Sequence, residues 1–73
     1  MQTGKRVDEM YRIYGKDNTM KQYKAFDYEN GAFVDNLIYA TIIKDQELDK
    51  ANKAIEFMNS NNPEYHFEIR KVG

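Results

Sequence analysis

From Glu64 to Arg70 the chain alternates strictly, with Tyr65, Phe67 and Ile69 on one side and His66, Glu68 and Arg70 on the other. Side chains on a strand point to opposite faces with a period of two, so this pattern predicts a half-buried β-strand with an aromatic inner face. Met10-Tyr-Arg-Ile-Tyr14 and Lys21-Gln-Tyr-Lys-Ala-Phe-Asp-Tyr28 also read as strands, separated by a turn at Gly15-Lys-Asp-Asn-Thr19. Asn30-Gly31 is a hairpin signal, because a type I′ turn needs positive φ at both central residues. It should return the chain through Ala32-Phe-Val34, and Asp35-Asn36 should then break or bulge the strand.

The stretch Asn36-Leu-Ile-Tyr-Ala-Thr-Ile-Ile-Lys44 is apolar or β-branched at almost every position. Read as a strand, it sends Ile38, Ala40 and Ile42 one way and Leu37, Tyr39 and Ile43 the other. Next comes a helix. Asp45 is a suitable N-cap, and Glu47 and Asp49 place negative charge in the first turn, where the helix dipole favours it. Leu48, Ala51, Ala54, Ile55 and Met58 fall within about 120° of arc at about 100° per residue, a core-facing stripe. Phe57 lies well off that stripe, so it either folds over the helix flank onto the last strand or stands exposed as a contact residue. Asn59-Ser-Asn-Asn-Pro63 ends the helix, since the residue before proline disfavours it.

The order β-β-β-(β)-α-β predicts an α+β fold: an antiparallel or mixed sheet of about four strands with one helix packed on one face. A lone helix covers only one side of a two-faced strand at 37–43. The other side should be covered by Val7, Met10 and the first hairpin, or by a partner or second copy. Leaving Leu37, Tyr39 and Ile43 wet forgoes about 1.5–3 kcal/mol per large side chain.

With 73 residues the chain makes one small domain, read here as residues 10–73 behind a mobile extension at 1–9. A chain of this size buries only about 60% of its unfolded surface. It has no cysteine to staple it, so the six Tyr and four Phe must supply much of the core. No apolar run is long enough to span a membrane, and the polar N-terminus lacks the apolar centre of a signal peptide, which predicts a cytoplasmic protein.

A net charge of −1 removes the simple argument for nucleic acid, whose backbone attracts cations. The charge is nonetheless uneven. Residues 1–24 carry a local +3, whereas 25–35 hold only Asp27, Glu29 and Asp35.

Catalytic chemistry has little to work with. There is no Cys, the single Ser60 sits in the helix-stop cluster, and the single His66 is expected on a solvent face. A Ser or Cys nucleophile needs a base within hydrogen-bond reach. Asp27, Glu29 and Asp35 do not have calcium-loop spacing and read as hairpin solubilisers. No Gly-rich phosphate cradle occurs, and neither a cofactor nor a metal is expected. Two partner surfaces are therefore expected: Leu37, Tyr39 and Ile43 as an apolar face, and Asp27, Glu29 and Asp35 as an acidic patch able to mimic nucleic-acid charge. In the alternative reading, Tyr11, Arg12, Tyr14, Tyr23 and Lys24, with Lys16, Lys21 and Phe26 on the same first hairpin, interleave rings with cations, the combination by which sheets bind single-stranded nucleic acid. A homodimeric structural subunit is the third reading.

Tyr11-Arg-Ile-Tyr-Gly-Lys-Asp-Asn18, the Asn-Gly hairpin, Tyr39-Ala-Thr-Ile-Ile-Lys-Asp45, an Ala-containing amphipathic helix and Asn61-Asn-Pro-Glu-Tyr-His-Phe-Glu-Ile69 form a pattern. It resembles small uncharacterised accessory proteins of phages and mobile elements in low-GC Gram-positive bacteria. The resemblance spans about residues 10–72 and carries no catalytic residue across. It implies an accessory, non-enzymatic role like that of anti-CRISPR and other anti-defence inhibitors, which occupy a surface of a host protein or nucleoprotein complex.

Overall fold

The computed structural model describes residues 9–72. Five strands, two short 3-10 turns and one helix follow one another: β1 (Met10–Asp17), β2 (Lys24–Asp27), β3 (Ala32–Val34), the turn Leu37–Tyr39, β4 (Ile42–Lys44), the turn Asp45–Glu47, α1 (Leu48–Asn61) and β5 (Tyr65–Lys71). The fold is α+β, and every strand pairing is antiparallel.

β1 organises the sheet. One of its edges is taken along almost its whole length by β5, from Tyr11↔Lys71 to Asp17↔Tyr65. The other is shared by β4, opposite Met10 to Arg12, and β2, opposite Tyr14 and Gly15. β3 pairs outward from β2. Thr41 bridges the gap where β2 leaves β1: its N–H donates to the Phe26 carbonyl at 3.3 Å, and its Oγ1 accepts from the Tyr28 N–H at 2.7 Å.

Odd-numbered residues of β1 and β5 face inward. The core is Ile13, Phe26, Ile43, Ile55 and Phe67, with Tyr11, Phe33, Ala51, Met58, Tyr65 and Ile69 around it. The helix stripe lands as its periodicity predicts: Ile55 is buried and Leu48, Ala51, Ala54 and Met58 are half-buried. Phe26, Phe33, Tyr65 and Phe67 form one aromatic group, with centroids 4.9 Å apart for Phe26–Phe67 and 5.2 Å for the edge-on pair Phe26–Phe33. Such geometries add to the burial of the rings.

Several local expectations are corrected. Gly15 is not a turn residue; it lies within β1 opposite Phe67, whose ring occupies the space a Cβ would fill. The turn falls later, where Asp17 Oδ1 accepts from the N–H and hydroxyl of Thr19. The β2–β3 connection is a four-residue loop rather than a type I′ turn. Asp27 accepts from the N–H groups of Glu29 and Asn30 and from the Asn30 side chain, and only Gly31 has positive φ, at 66°. Asp45 is not the helix cap: the chain enters α1 through a 3-10 turn in which Glu47 Oε1 accepts from the Lys44 N–H at 3.3 Å. Phe57 stands 69% exposed.

The largest correction concerns 37–43, which is not one strand. Asn36 Oδ1 accepts from the Ile38 N–H at 3.1 Å and starts a 3-10 turn, and only residues 42–44 are strand. Glu9, read as the end of an extension, is tied into the fold: its carbonyl accepts from the Asp45 N–H, and its carboxylate meets the Tyr11 hydroxyl and the Lys71 ammonium. Residues 1–8, including Val7, lie outside the described residues.

The helix is fastened to the sheet by Asn59. Its Nδ2 donates to the Phe67 carbonyl at 3.1 Å, and its Oδ1 accepts from the Phe67 N–H at 2.8 Å. A side-chain amide thereby acts as a one-residue strand on the outer edge of β5. Both backbone groups of Phe67 point away from β1, so Gly15 and Phe67 form a non-hydrogen-bonded pair, the type in which opposed residues approach most closely.

Candidate functional site: the exposed turn and the outer sheet face

Among the described residues, the apolar turn carries the most exposed large hydrophobic side chain, Ile38. Leu37, Ile38 and Tyr39 are 43%, 76% and 63% exposed. They are nonetheless held in place. Beside the Asn36 cap, Tyr39 N–H donates to the Asn36 carbonyl at 3.0 Å, Ala40 N–H donates to the Leu37 carbonyl at 3.1 Å, and Ala40 itself is buried. Three large apolar side chains therefore project from a short turn anchored at both ends.

Of the residues expected to form an apolar face, Leu37 and Tyr39 lie on this turn, but Ile43 does not. Ile43 is 5% exposed and belongs to the core, because it pairs with Tyr11 on the inner side of β4. Ile38 takes its place as the most exposed member.

The three acids do not converge on one patch. Asp27 is committed to the β2–β3 loop, and its carboxyl is held below the usual range, chiefly by the Asn30 side-chain bond and then by the Asn30 and Glu29 N–H groups. Asp35 sits at the opposite end of the hairpin, paired with Lys24 at 2.8 Å, which lowers its pKa through the same bond and charge. Glu29 is exposed at the loop tip.

The sheet's outer face gathers part of the interleaved set. Even-numbered residues of β1 and β5 share it, in the cross-strand rows Arg12↔Arg70, Tyr14↔Glu68 and Lys16↔His66. The Arg70 guanidinium lies 4.7 Å from the Tyr14 ring centroid and 5.0 Å from that of Tyr23, and Lys16 Nζ lies 5.8 Å from the Tyr23 ring. Arg70 Nε also donates to the Glu68 carboxylate. Tyr11 and Lys24 leave this set. Tyr11 points inward against the core with its hydroxyl on Glu9, a bond that raises its pKa, and Lys24 sits opposite Gly15, out of register with the outer face. His66 and Arg70 were absent from the expected set. The alternation of β5 held the signal, and pairing it with β1 in register puts them beside Arg12 and Tyr14.

The aromatic group opens on one side into a cleft of about 550 Å³ lined by Phe26, Tyr28, Phe33, Met58, Tyr65 and Phe67. Its polar neighbour Asn62 has its amide committed to the Met58 carbonyl at 3.0 Å. A second hollow of about 250 Å³ lies between β4 and α1. Among the described residues no three His, Asp or Glu side chains converge as metal ligands, and no helix is long and apolar enough to cross a membrane. His66 is exposed on β5 and Ser60 is exposed near the end of α1. No family model, curated protein or solved structure matches this chain.

Proposed function

We propose that this chain is a non-enzymatic, cytoplasmic interaction module that seats the turn Leu37–Ile38–Tyr39 in a concave site on a protein partner. The observation that carries the reading is the exposure of three consecutive large apolar side chains on a turn fixed by Asn36 and Ala40. A preformed turn loses little conformational freedom on docking, and buried aromatic anchors dominate interface energetics.

The turn is small enough to anchor an interface but not to make up the whole of one. Three side chains expose on the order of a few hundred Å², short of the roughly 800 Å² per partner that a stable association buries. A convex knob that small needs a complementary pocket. In keeping with the resemblance, the partner is a host protein or nucleoprotein complex, blocked by occlusion as phage anti-defence inhibitors block theirs.

A photo-reactive amino acid at Tyr39, with Lys53 on α1 as the control position, tests this in bacterial lysate. A saturable adduct from position 39 that Ile38→Asp abolishes is the expected outcome. Equal labelling from both positions, or none, refutes it. An adduct only between two copies of the chain shifts the assignment to a homodimer.

A further inference from the structure

The outer sheet face carries charge that folding alone does not call for. Arg12 and Arg70 stand directly opposite each other across β1 and β5, and Lys16 stands opposite His66 two rows away. Like charges directly opposed on a sheet destabilise it. Glu68 offsets one of them through its bond to Arg70, which leaves Arg12 and Lys16 on the same face. Arg12 is half-buried, and its Nε is shielded from water without a hydrogen-bond partner among the described residues. A shielded, unpaired donor of this kind costs stability.

Aromatic rings are built into the same surface. Arg70 lies across the rings of Tyr14 and Tyr23, and its side chain remains 47% exposed. A guanidinium plane on a ring continues the stack outward: it offers a flat, cationic surface to a base and a fork of donors to a phosphate. Rows on one face of β1 are two residues apart, about 6.6 Å, so Arg12 and Lys16 flank the Tyr14 row by that distance on either side. Cations flanking rings at this spacing fit alternating phosphates and bases.

From these observations we infer that the outer face of β1 and β5 binds single-stranded nucleic acid. Arg12, Lys16 and Arg70 meet phosphates, while the Tyr14–Arg70–Tyr23 stack receives an unpaired base. A duplex keeps its bases stacked on one another and has no use for the rings, so single strands are preferred. The site is separate from the apolar turn and does not depend on a protein partner docking there.

Fluorescence anisotropy with labelled oligothymidylate of about 12 nucleotides tests it, since small sheet domains cover about 4–16 nucleotides. Three phosphate contacts predict a slope of log affinity against log salt of about −2, at roughly 0.7 per contact. Lys16→Gln should weaken binding and make the slope shallower by about 0.7, whereas Lys53→Gln, the same charge loss on α1, should change little. Arg70→Lys keeps the charge and loses the plane. It should retain the slope while weakening binding about 5- to 150-fold, the range for one lost stacking contact. Circular dichroism and urea midpoints confirm that each variant folds. The inference is overturned by no binding at low salt, by equal affinity for a duplex of the same length, or by Lys53→Gln matching Lys16→Gln. Any of these leaves the protein-partner proposal standing, because photo-crosslinking at Tyr39 reads a different surface.

Discussion

Replacing Gly15 by alanine adds one methyl group at the closest approach of two strands. A Cβ built there meets Phe67 Cδ1 at 2.4 Å and Cε1 at 2.7 Å, where ordinary contact begins at 3.4 Å. The ring must therefore retreat by about 1 Å, the difference between those distances. It has little room, being 9% exposed with neighbours Phe26, Tyr65 and Phe33 at centroid distances of 4.9, 5.7 and 6.3 Å. Over-packing of this kind costs about 1–3 kcal/mol. Against it stands the entropic gain of removing a glycine from a strand, about 0.5–1 kcal/mol. At mid-range the steric cost wins, giving a net loss of about 1 kcal/mol and at most about 2.5 kcal/mol, from a domain whose whole stability is about 4–11 kcal/mol. Urea unfolding should show a lower midpoint at unchanged slope, and the melting temperature should fall by about 4–8 °C per kcal/mol. Gly15→Ala combined with Phe67→Leu should recover part of the loss, a coupling visible in a double-mutant cycle. A Gly15→Ala variant as stable as the parent would show that Phe67 does not lie over β1 as described.

Other outcomes follow from the same structure. Asn59→Ala removes both bonds to the Phe67 backbone and should cost about 1–3 kcal/mol, from about 0.5–1.5 kcal/mol per bond. Amide exchange at Phe67 should accelerate in that variant, and an unchanged rate would contradict the edge contact. Asp17, Asp27 and Asp35 all have carboxyls held below their ordinary range by hydrogen bonds, from Thr19, Asn30 and Lys24 respectively. Their folded pKa values lie below the unfolded ones, so the stability they contribute is present above the ordinary Asp range and is lost as pH falls through the folded values. Asp27→Asn should flatten that acid limb in melts followed against pH, and an identical limb in parent and variant would count against Asp27 as the organiser of the β2–β3 loop.

Elements with one dominant signal were legible in the sequence. The stripe Leu48, Ala51, Ala54, Ile55, Met58 located α1 and its buried side, and the alternation of β5 set Phe67 inward and His66, Glu68 and Arg70 outward. What escaped were places where a long-range contact overrides a local preference. Gly15 resembles a turn residue until Phe67 is placed over it. Asn59 resembles a helix stop until β5 arrives beside it and presents an unpaired peptide group. The segment 37–43 misled because its β-branched run masked an available cap at Asn36, whose carboxamide turns the chain before a strand can start. The candidate surfaces were half visible for the same reason: Leu37 and Tyr39 are exposed, but on a turn rather than a strand, and Ile43 crosses to the core. Arg12, Tyr14 and Lys16 could be suspected from the first segment alone, whereas His66 and Arg70 join them only once β1 and β5 are paired in register.

Docking through the turn requires the outward display of Leu37–Tyr39 in the free protein, and the unfolding free energy of Ile38→Lys measures that without any partner in hand. Ile38 is 76% exposed, so a lysine there should change stability by no more than about 0.5 kcal/mol, as surface substitutions do. A loss of about 1.5–3 kcal/mol, the value of a buried isoleucine, would mean that the turn packs inside the protomer or against a second copy, and the proposed knob would not exist.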